Sequence, residues 1–288
     1  MATHDNKLHG PSSIHSMGTV ESENLNRSEF FHQEKPRSRL CLAAKMRLFF
    51  LDAPPEADGP WFPERSLQRH FRALRLNPGD QVEFVCQQTR RRGELQADGS
   101  WQLQPARELP PDPFQPLILA TAWPKGNRGD RLVQSATEAG VGILQALLCQ
   151  RSVAGTKPFG EERIQRWHRL MQETGQQCGR FHLPKWQGPP ISLPEYLAKA
   201  PGPCLALVPD APLLKQTLSK LPASTAEQPL SLLIGPEGGF SPDELTLLDQ
   251  AGVPRAGLLA TVLRVEVAGP MAAALYQHLT ANPAPQRK

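Results

Sequence analysis

Beyond residue 116 the chain repeats one arrangement, a short apolar run followed by a helical stretch, and this pattern constrains the fold more than any other feature. Residues 117–123, 143–148, 205–208 and 230–234 are strand-like runs of mostly apolar side chains. Helices are expected over 128–139 and 161–178, each followed by a glycine suited to a C-terminal cap, Gly140 and Gly179. A further helix is expected over 241–251, a short strand over 256–260 and a last helix over 270–279. Apolar strands alternating with helices predict an α/β fold on a mostly parallel sheet.

Residues 46–113 have a different rhythm. RLFFL at 47–51 opens the stretch, a brief helix is expected over 66–74, and Asn77-Pro78-Gly79-Asp80 marks a turn before a strand at 81–86. Residues 94–96 and 101–104 flank Asp98-Gly99 as a hairpin. Short strands between frequent turns predict a small β-barrel. Five prolines within 105–116 read as a semi-rigid linker. Residues 1–45 are polar and lack an apolar period, which reads as a disordered tail. Glu21, Glu23, Glu29 and Glu34 argue against a transit peptide there. The expected division is a tail over 1–45, a barrel over 46–113 and an α/β domain over 114–288.

Composition removes several classes of function. No apolar run approaches the roughly 20 residues of a membrane-spanning helix. Cys41, Cys86, Cys149, Cys178 and Cys204 are scattered and form no C-x-x-C pair. That pattern excludes a disulfide framework or a cysteine-based zinc site and suits a reducing cytoplasm. The net charge of +4 divides into +1 over 1–45, −1 over 46–115 and +4 over 116–288. Seven of the basic residues lie between Arg151 and Lys185 against three glutamates. A phosphate-bearing partner would explain such a cluster, and a solvated helix face would explain it more simply.

The segment SLLIGPEGGFSPDEL at 231–245 is the most informative. A strand ends at Ile234, Gly235-Pro236-Glu237-Gly238-Gly239 forms a sharp loop, and a helix opens with Ser241 as its cap. Pro242 suits the first helical position, and Glu244 completes a capping box. The glycines allow close approach of a ligand to the backbone. Such loops beyond the carboxyl ends of parallel strands are where α/β folds bind ligands. An ordinary tight turn would need fewer glycines, so a binding loop is the better reading. A second segment, 258–279, places Arg264 and Glu266 in an otherwise apolar passage. They read equally as a structural ion pair at a helix start and as a charged pair facing a pocket. G-x-G-x-x-G, H-E-x-x-H and G-x-S-x-G do not occur, which leaves dinucleotide, zinc-protease and serine-hydrolase readings without support.

LLIGPEGGFSPDE, followed about twenty residues later by VLRVE, resembles the signature of the SPOUT-class, RsmE-type family that methylates N-3 of a uridine in bacterial small-subunit (16S) ribosomal RNA. RLFFLDAP and HFRALRLNPGD resemble that family's N-terminal RNA-binding barrel, which is similar to a PUA domain. KGNRGDRLVQSATEAGV, CQRSVAG and ERIQRWHRLMQETGQQCGR resemble its central stretches. Five residues depart from the family pattern. Ser135 stands for a usual Lys, Cys149-Gln150 for a Glu-rich approach, Val267 for a usual Thr and Leu259 for a usual Gly.

The resemblance implies a C-terminal domain with a deep trefoil knot, binding S-adenosylmethionine through three loops. These are Leu207, Val208 and Pro209; Gly235, Pro236, Gly238 and Gly239; and Leu258, Leu259, Thr261, Val262 and Leu263. It implies Arg264 as a cationic clamp on the uracil, with Glu266 or Glu237 as base or orienter. The expected RNA contacts are Arg151, Arg163, Arg166, Arg169 and Arg180; Trp61 and Trp101 could stack on bases, but a core role is the better reading of either. The implied partners are 16S ribosomal RNA in the small subunit and a second copy of the chain, in the cytoplasm, without metal or membrane. A non-catalytic RNA-binding protein and a methyltransferase acting on another base are the alternatives.

Overall fold

The computed structural model describes residues 46–55, 60–152 and 158–281. The tail expected over 1–45 lies outside the described residues. Twelve strands and seven helices follow one another among those described. They are β1 (Arg47–Phe50), α1 (Arg65–Ala73), β2 (Gln81–Cys86), β3 (Thr89–Leu95), β4 (Trp101–Leu103), β5 (Arg107–Glu108), β6 (Leu117–Ala122), α2 (Arg128–Glu138), β7 (Ile143–Leu148) and α3 (Glu161–Cys178). Then come β8 (Lys185–Trp186), β9 (Ile191–Ser192), α4 (Leu193–Lys199), β10 (Cys204–Leu207), α5 (Leu214–Leu218), β11 (Leu230–Ile234), α6 (Pro242–Gln250), β12 (Arg255–Ala256) and α7 (Val265–Thr280).

The large sheet has the order β12-β10-β11-β6-β7-β8, with β9 also on β7, and every pairing in it is parallel. β6 and β11 are buried along their whole length, as central strands covered by helices on both faces must be. One face packs α2, α3 and α7 through Leu119, Leu132, Trp167 and Ala272; the other packs α4 and α6 through Ile118, Leu193, Leu233 and Leu248. Asp130 fastens α3 to α2. Its Oδ2 accepts from Arg166 Nε and Nη2 at 2.9 and 2.8 Å, and its Oδ1 accepts from Trp167 Nε1 at 3.0 Å.

The small sheet joins β1 parallel to β2, then β3 and β4 antiparallel, with β5 also on β3. Its core is aromatic: Phe49, Phe71, Phe84 and Trp101 meet edge-on or tilted at centroid distances of 4.9 to 6.1 Å. Trp101 has no exposed surface, so it is a core residue and not a stacking platform. Trp61 bridges it backbone to backbone and meets Phe84 edge-on, with ring centroids 5.1 Å apart.

Several boundaries differ from the sequence expectation. β3 begins at Thr89 and includes Arg90, Arg91 and Arg92, because Glu83 on the facing strand lies 3.7 and 3.3 Å from Arg90 and Arg92. The proline-rich stretch carries β5 and is tied down rather than free. Gln115 and Gln277 exchange amide hydrogen bonds of 2.8 and 2.9 Å, and His182 Nε2 donates to the Pro110 carbonyl at 2.7 Å. The strand expected over 256–260 ends at Ala256. The last helix starts five residues before Pro270, which lies inside it.

Candidate active site

In a parallel sheet all strands end at the same edge, and ligands bind in the crevice there. The loops after β10, β11 and β12, three neighbours in the sheet, enclose a cavity of about 390 Å³ at that edge. All twelve residues expected to hold a cofactor line it: Leu207 to Pro209 from the first loop, Gly235, Pro236, Gly238 and Gly239 from the second, and Leu258, Leu259, Thr261, Val262 and Leu263 from the third. Ile234, Phe240, Leu245 and Val265 close its apolar wall.

The local sequence builds the second loop. Ser241 caps α6 by accepting from the Glu244 amide at 3.1 Å, and Glu244 Oε2 accepts from the Ser241 amide at 2.8 Å. This is the reciprocal box expected from the sequence. Within the loop Gly239 takes the left-handed conformation, at φ +70°, where a Cβ would be strained. A Cβ on Gly235 would meet the Phe240 backbone nitrogen at 3.1 Å. The third loop is held differently. No described residue accepts a hydrogen bond from the backbone amides of Leu258 through Leu263. Leu258, Leu259, Thr261, Val262 and Leu263 line a largely apolar cavity, where such amides can meet polar groups of a ligand and the leucine and valine side chains can enclose a flat ring.

Two further strand ends join the rim. From the first residue of α2, Arg128 Nη1 lies 2.9 Å from Glu237 Oε1. From the β7–α3 loop, Arg151 Nη1 donates to the Gly238 carbonyl at 2.7 Å, and the Gln150 amide donates to Glu244 Oε1 at 2.8 Å. Cys149 sits behind this contact, and burial followed by the neighbouring Glu244 pushes its thiol up to about 12.

Of the three catalytic candidates, Glu237 lines the cavity and is paired with Arg128. Arg264 and Glu266 stand at the start of α7 beside the lining residues Leu263 and Val265, without lining the cavity themselves. They form no ion pair with each other. Arg264 is exposed, whereas Glu266 is buried with Oε2 lacking any partner among the described residues.

The five arginines expected to contact RNA separate into different environments. Arg163 and Arg169 are exposed on α3. Arg166 is exposed but forked onto Asp130, and Arg151 is engaged by the glycine loop. Arg180 is not a surface cation. It is 6% exposed, donates from Nη1 to the Thr137 carbonyl at 2.8 Å and stacks over Phe114 at 5.1 Å. The sequence reading does not single out Arg128. Its position directly after a parallel strand and its loop is the signal that could have found it.

Among the described residues no group of His, Cys, Asp or Glu could hold a metal ion, and no helix is long and apolar enough to cross a membrane.

The model of the RNA methyltransferase domain family matches residues 110–277 of the chain. The chain is 26% identical over 250 residues to the ribosomal RNA small subunit methyltransferase E of Mycobacterium tuberculosis, covering 82% of this chain and 92% of that one. It is 32% identical over 167 residues to the protein of the same name from Synechocystis, covering 55% of this chain and about half of that relative's length, 52%. The crystal structure of ribosomal RNA small subunit methyltransferase E from Neisseria gonorrhoeae bound to S-adenosylmethionine superposes with a TM-score of 0.66 at 22% identity, covering 81% and 98% of the two chains. A putative methyltransferase from Legionella pneumophila, also with that cofactor, gives 0.65 at 22% identity, covering 81% and 97%. These structures share the fold. With the matched family spanning residues 110–277, and so the large sheet and the cavity at its edge, the chain belongs to the RNA methyltransferase family.

Proposed function

We propose that the protein transfers a methyl group from S-adenosylmethionine to N-3 of a uridine in bacterial 16S ribosomal RNA. The observation that carries this reading is the convergence of all twelve expected cofactor residues on one cavity at the ends of three adjacent strands. The names of the Mycobacterium and Synechocystis relatives support the ribosomal substrate. On this reading the segment through the third loop forms the trefoil knot, residues 114–288 are the catalytic domain, and residues 46–113 are a PUA-like barrel that recognises RNA in the cytoplasm.

The cavity fits the cofactor, which supplies a methyl on a sulfonium. Leu207, Val208 and the 258–263 loop would hold its adenosine, and the glycine loop would let its polar ends reach backbone groups. The chain's own contribution is orientation of two reactants and handling of one proton. Uridine N-3 carries an imide proton that must leave before the nitrogen attacks. Arg264, exposed at the start of α7, would oppose the charge that develops on the uracil oxygens. Glu266 has an unused carboxylate oxygen and would accept or orient the proton. Glu237, paired with Arg128, would brace the loop.

Val267, Met271, Leu275 and Leu279 follow at four-residue spacing on α7, and Val267, Leu275 and Leu279 are 38–40% exposed. Such an apolar ridge supports a homodimer packed through α7. Mass spectrometry of ribosomal RNA nucleosides from a strain lacking the gene tests the function. 3-Methyluridine should disappear and return on complementation, and its persistence would refute the assignment.

A further inference from the structure

Residues 65–75, which comprise α1 and the two residues after it, carry four arginines and no acid. Arg65, Arg69 and Arg72 are spaced four and three apart, which places them on one face of the helix. Like charges at those spacings repel and destabilise a helix. All three are exposed, and among the described residues no carboxylate or other acceptor meets their guanidinium groups. The acids nearest in sequence are used locally: Glu64 Oε1 accepts from the Ser66 hydroxyl at 2.8 Å, and Asp80 Oδ2 from the Asn77 amide at 2.8 Å. Arg75 adds a fourth charge at φ 55°, in the left-handed conformation after a helix where glycine is the ordinary choice. α3 differs, because Glu161 and Glu162 open it and Asp130 holds Arg166. A row of uncompensated arginines is the electrostatic footprint of a polyanion.

A cavity of about 220 Å³ adjoins this row, and Arg72 is one of its walls. It lies between α1 and the β3–β4 turn, with Pro63, Phe71, Leu76 and Trp101 as apolar lining. Phe62 also lines it, is 57% exposed, and its ring meets no other ring among the described residues. The volume is below the roughly 300–1,000 Å³ of drug-sized sites and suits one flat ring. Two acceptors face the same space. Asp98 Oδ1 takes the Ser100 amide and hydroxyl at 2.9 and 2.6 Å, which leaves Oδ2 open. Gln68 Nε2 donates to the Pro63 carbonyl at 2.7 Å, which leaves Oε1 open. These oxygens can accept from the N–H groups of a base edge, while the charge on Asp98 keeps phosphate out of the cavity. An exposed aromatic ring beside a basic row holds single strands elsewhere, the base on the ring and the backbone on the cations.

We propose that this face of the small sheet binds an unpaired stretch of the substrate RNA, with one base entering the cavity against Phe62 and neighbouring phosphates on Arg65, Arg69 and Arg72. It rests on the RNA methyltransferase reading and supplies a contact surface that the net charge of −1 over 46–115 conceals. The phosphates would set the register of the RNA, and the base in the cavity would add preference.

The full chain is titrated, from low to moderate salt, with a fluorescein-labelled single-stranded RNA decamer followed by anisotropy. Arg65→Ala, Arg69→Ala and Arg72→Ala together should weaken binding at least tenfold and reduce the salt slope by about two, roughly 0.7 for each phosphate released. Tm should stay the same or rise, because the like-charge repulsion is relieved. Phe62→Ala should weaken binding at least fivefold at an unchanged salt slope, and Phe62→Trp should keep it. Wild-type affinity and slope in the triple variant would overturn the phosphate row. A duplex of the same length bound as tightly as the single strand, or wild-type affinity in Phe62→Ala, would overturn the base cavity. Polyglutamate displacing the RNA at equal charge concentration would overturn RNA as the occupant.

In a second arm, the triple variant and Phe62→Ala should each raise the KM for small ribosomal subunits at least fivefold, with unchanged S-adenosylmethionine affinity by calorimetry. Wild-type KM in both would overturn the proposal while the methyltransferase function stood. RNA binding that depends on these residues, in a wild-type protein that transfers no methyl to RNA, would remove that function and leave the site.

Discussion

The Gln150 amide donates to Glu244 Oε1 at 2.8 Å, while the other oxygen of the same carboxylate accepts from the Ser241 amide at 2.8 Å. One buried side chain thereby caps α6 and ties the glycine loop's exit to the end of β7, 94 residues earlier in sequence. Glu244→Ala should lower stability by about 1–3 kcal/mol, because it removes one half of the capping box and leaves the buried Ser241 amide and the Gln150 amide without their acceptor. Cofactor affinity should fall with it. Denaturant unfolding and calorimetry check both effects, and Glu244→Gln should recover part of the stability.

Gly238→Val should abolish cofactor binding while the far-ultraviolet circular dichroism is unchanged. A Cβ there meets Arg151 Cδ at 3.3 Å, a flexible side chain that can give way, so the fold survives while the branch narrows the cavity. The left-handed residue of this loop is Gly239, and Gly239→Val should cost additional stability for that reason.

This loop also marks how far the sequence could be read. Ser241, Pro242 and Glu244 form a local code, so the cap and the helix start it predicts are the ones found. Contacts set by distant elements were not legible. The Arg-Arg-Arg run of β3 looks like a solvated turn until Glu83 faces it. Pro270 looks like a first-turn residue, yet α7 runs through it, its apolar face held in the core by Ala272, Ala273 and Tyr276. Arg180 looks like one more surface cation, and only the docked linker, with Asp112 and Phe114, puts it inside.

Arg163→Ala and Arg169→Ala together should weaken RNA binding and reduce its salt slope by up to about two, near one for each phosphate left without its arginine. Arg166→Ala should behave differently. Its guanidinium holds Asp130, so the effect should appear chiefly in thermal stability. Binding titrations from low to moderate salt separate the two outcomes.

The Cys149 thiol, raised from 9.0 to about 12 by burial and then by Glu244, is protonated in the folded protein where an unfolded chain would ionise. Its contribution to stability is therefore present below pH 9 and lost as pH rises from about 9 toward about 12. Tm should decline across that window, less steeply in Cys149→Val, and the thiol should resist alkylation at neutral pH until the protein unfolds.

On the proposed α7 homodimer, Leu275→Glu should sediment as a monomer without loss of helicity, since Leu275 is 38% exposed on the α7 ridge. A wild-type monomer at micromolar concentration would remove the basis for that interface.

The most direct test incubates the full chain with isotopically labelled S-adenosylmethionine and small ribosomal subunits that lack the modification, followed by mass spectrometry of the digested RNA. The account predicts one labelled methyl per subunit, recovered as 3-methyluridine, and none with the Gly238→Val protein. Label on another base or on ribose, or no transfer by a wild-type protein that binds the cofactor, would contradict it.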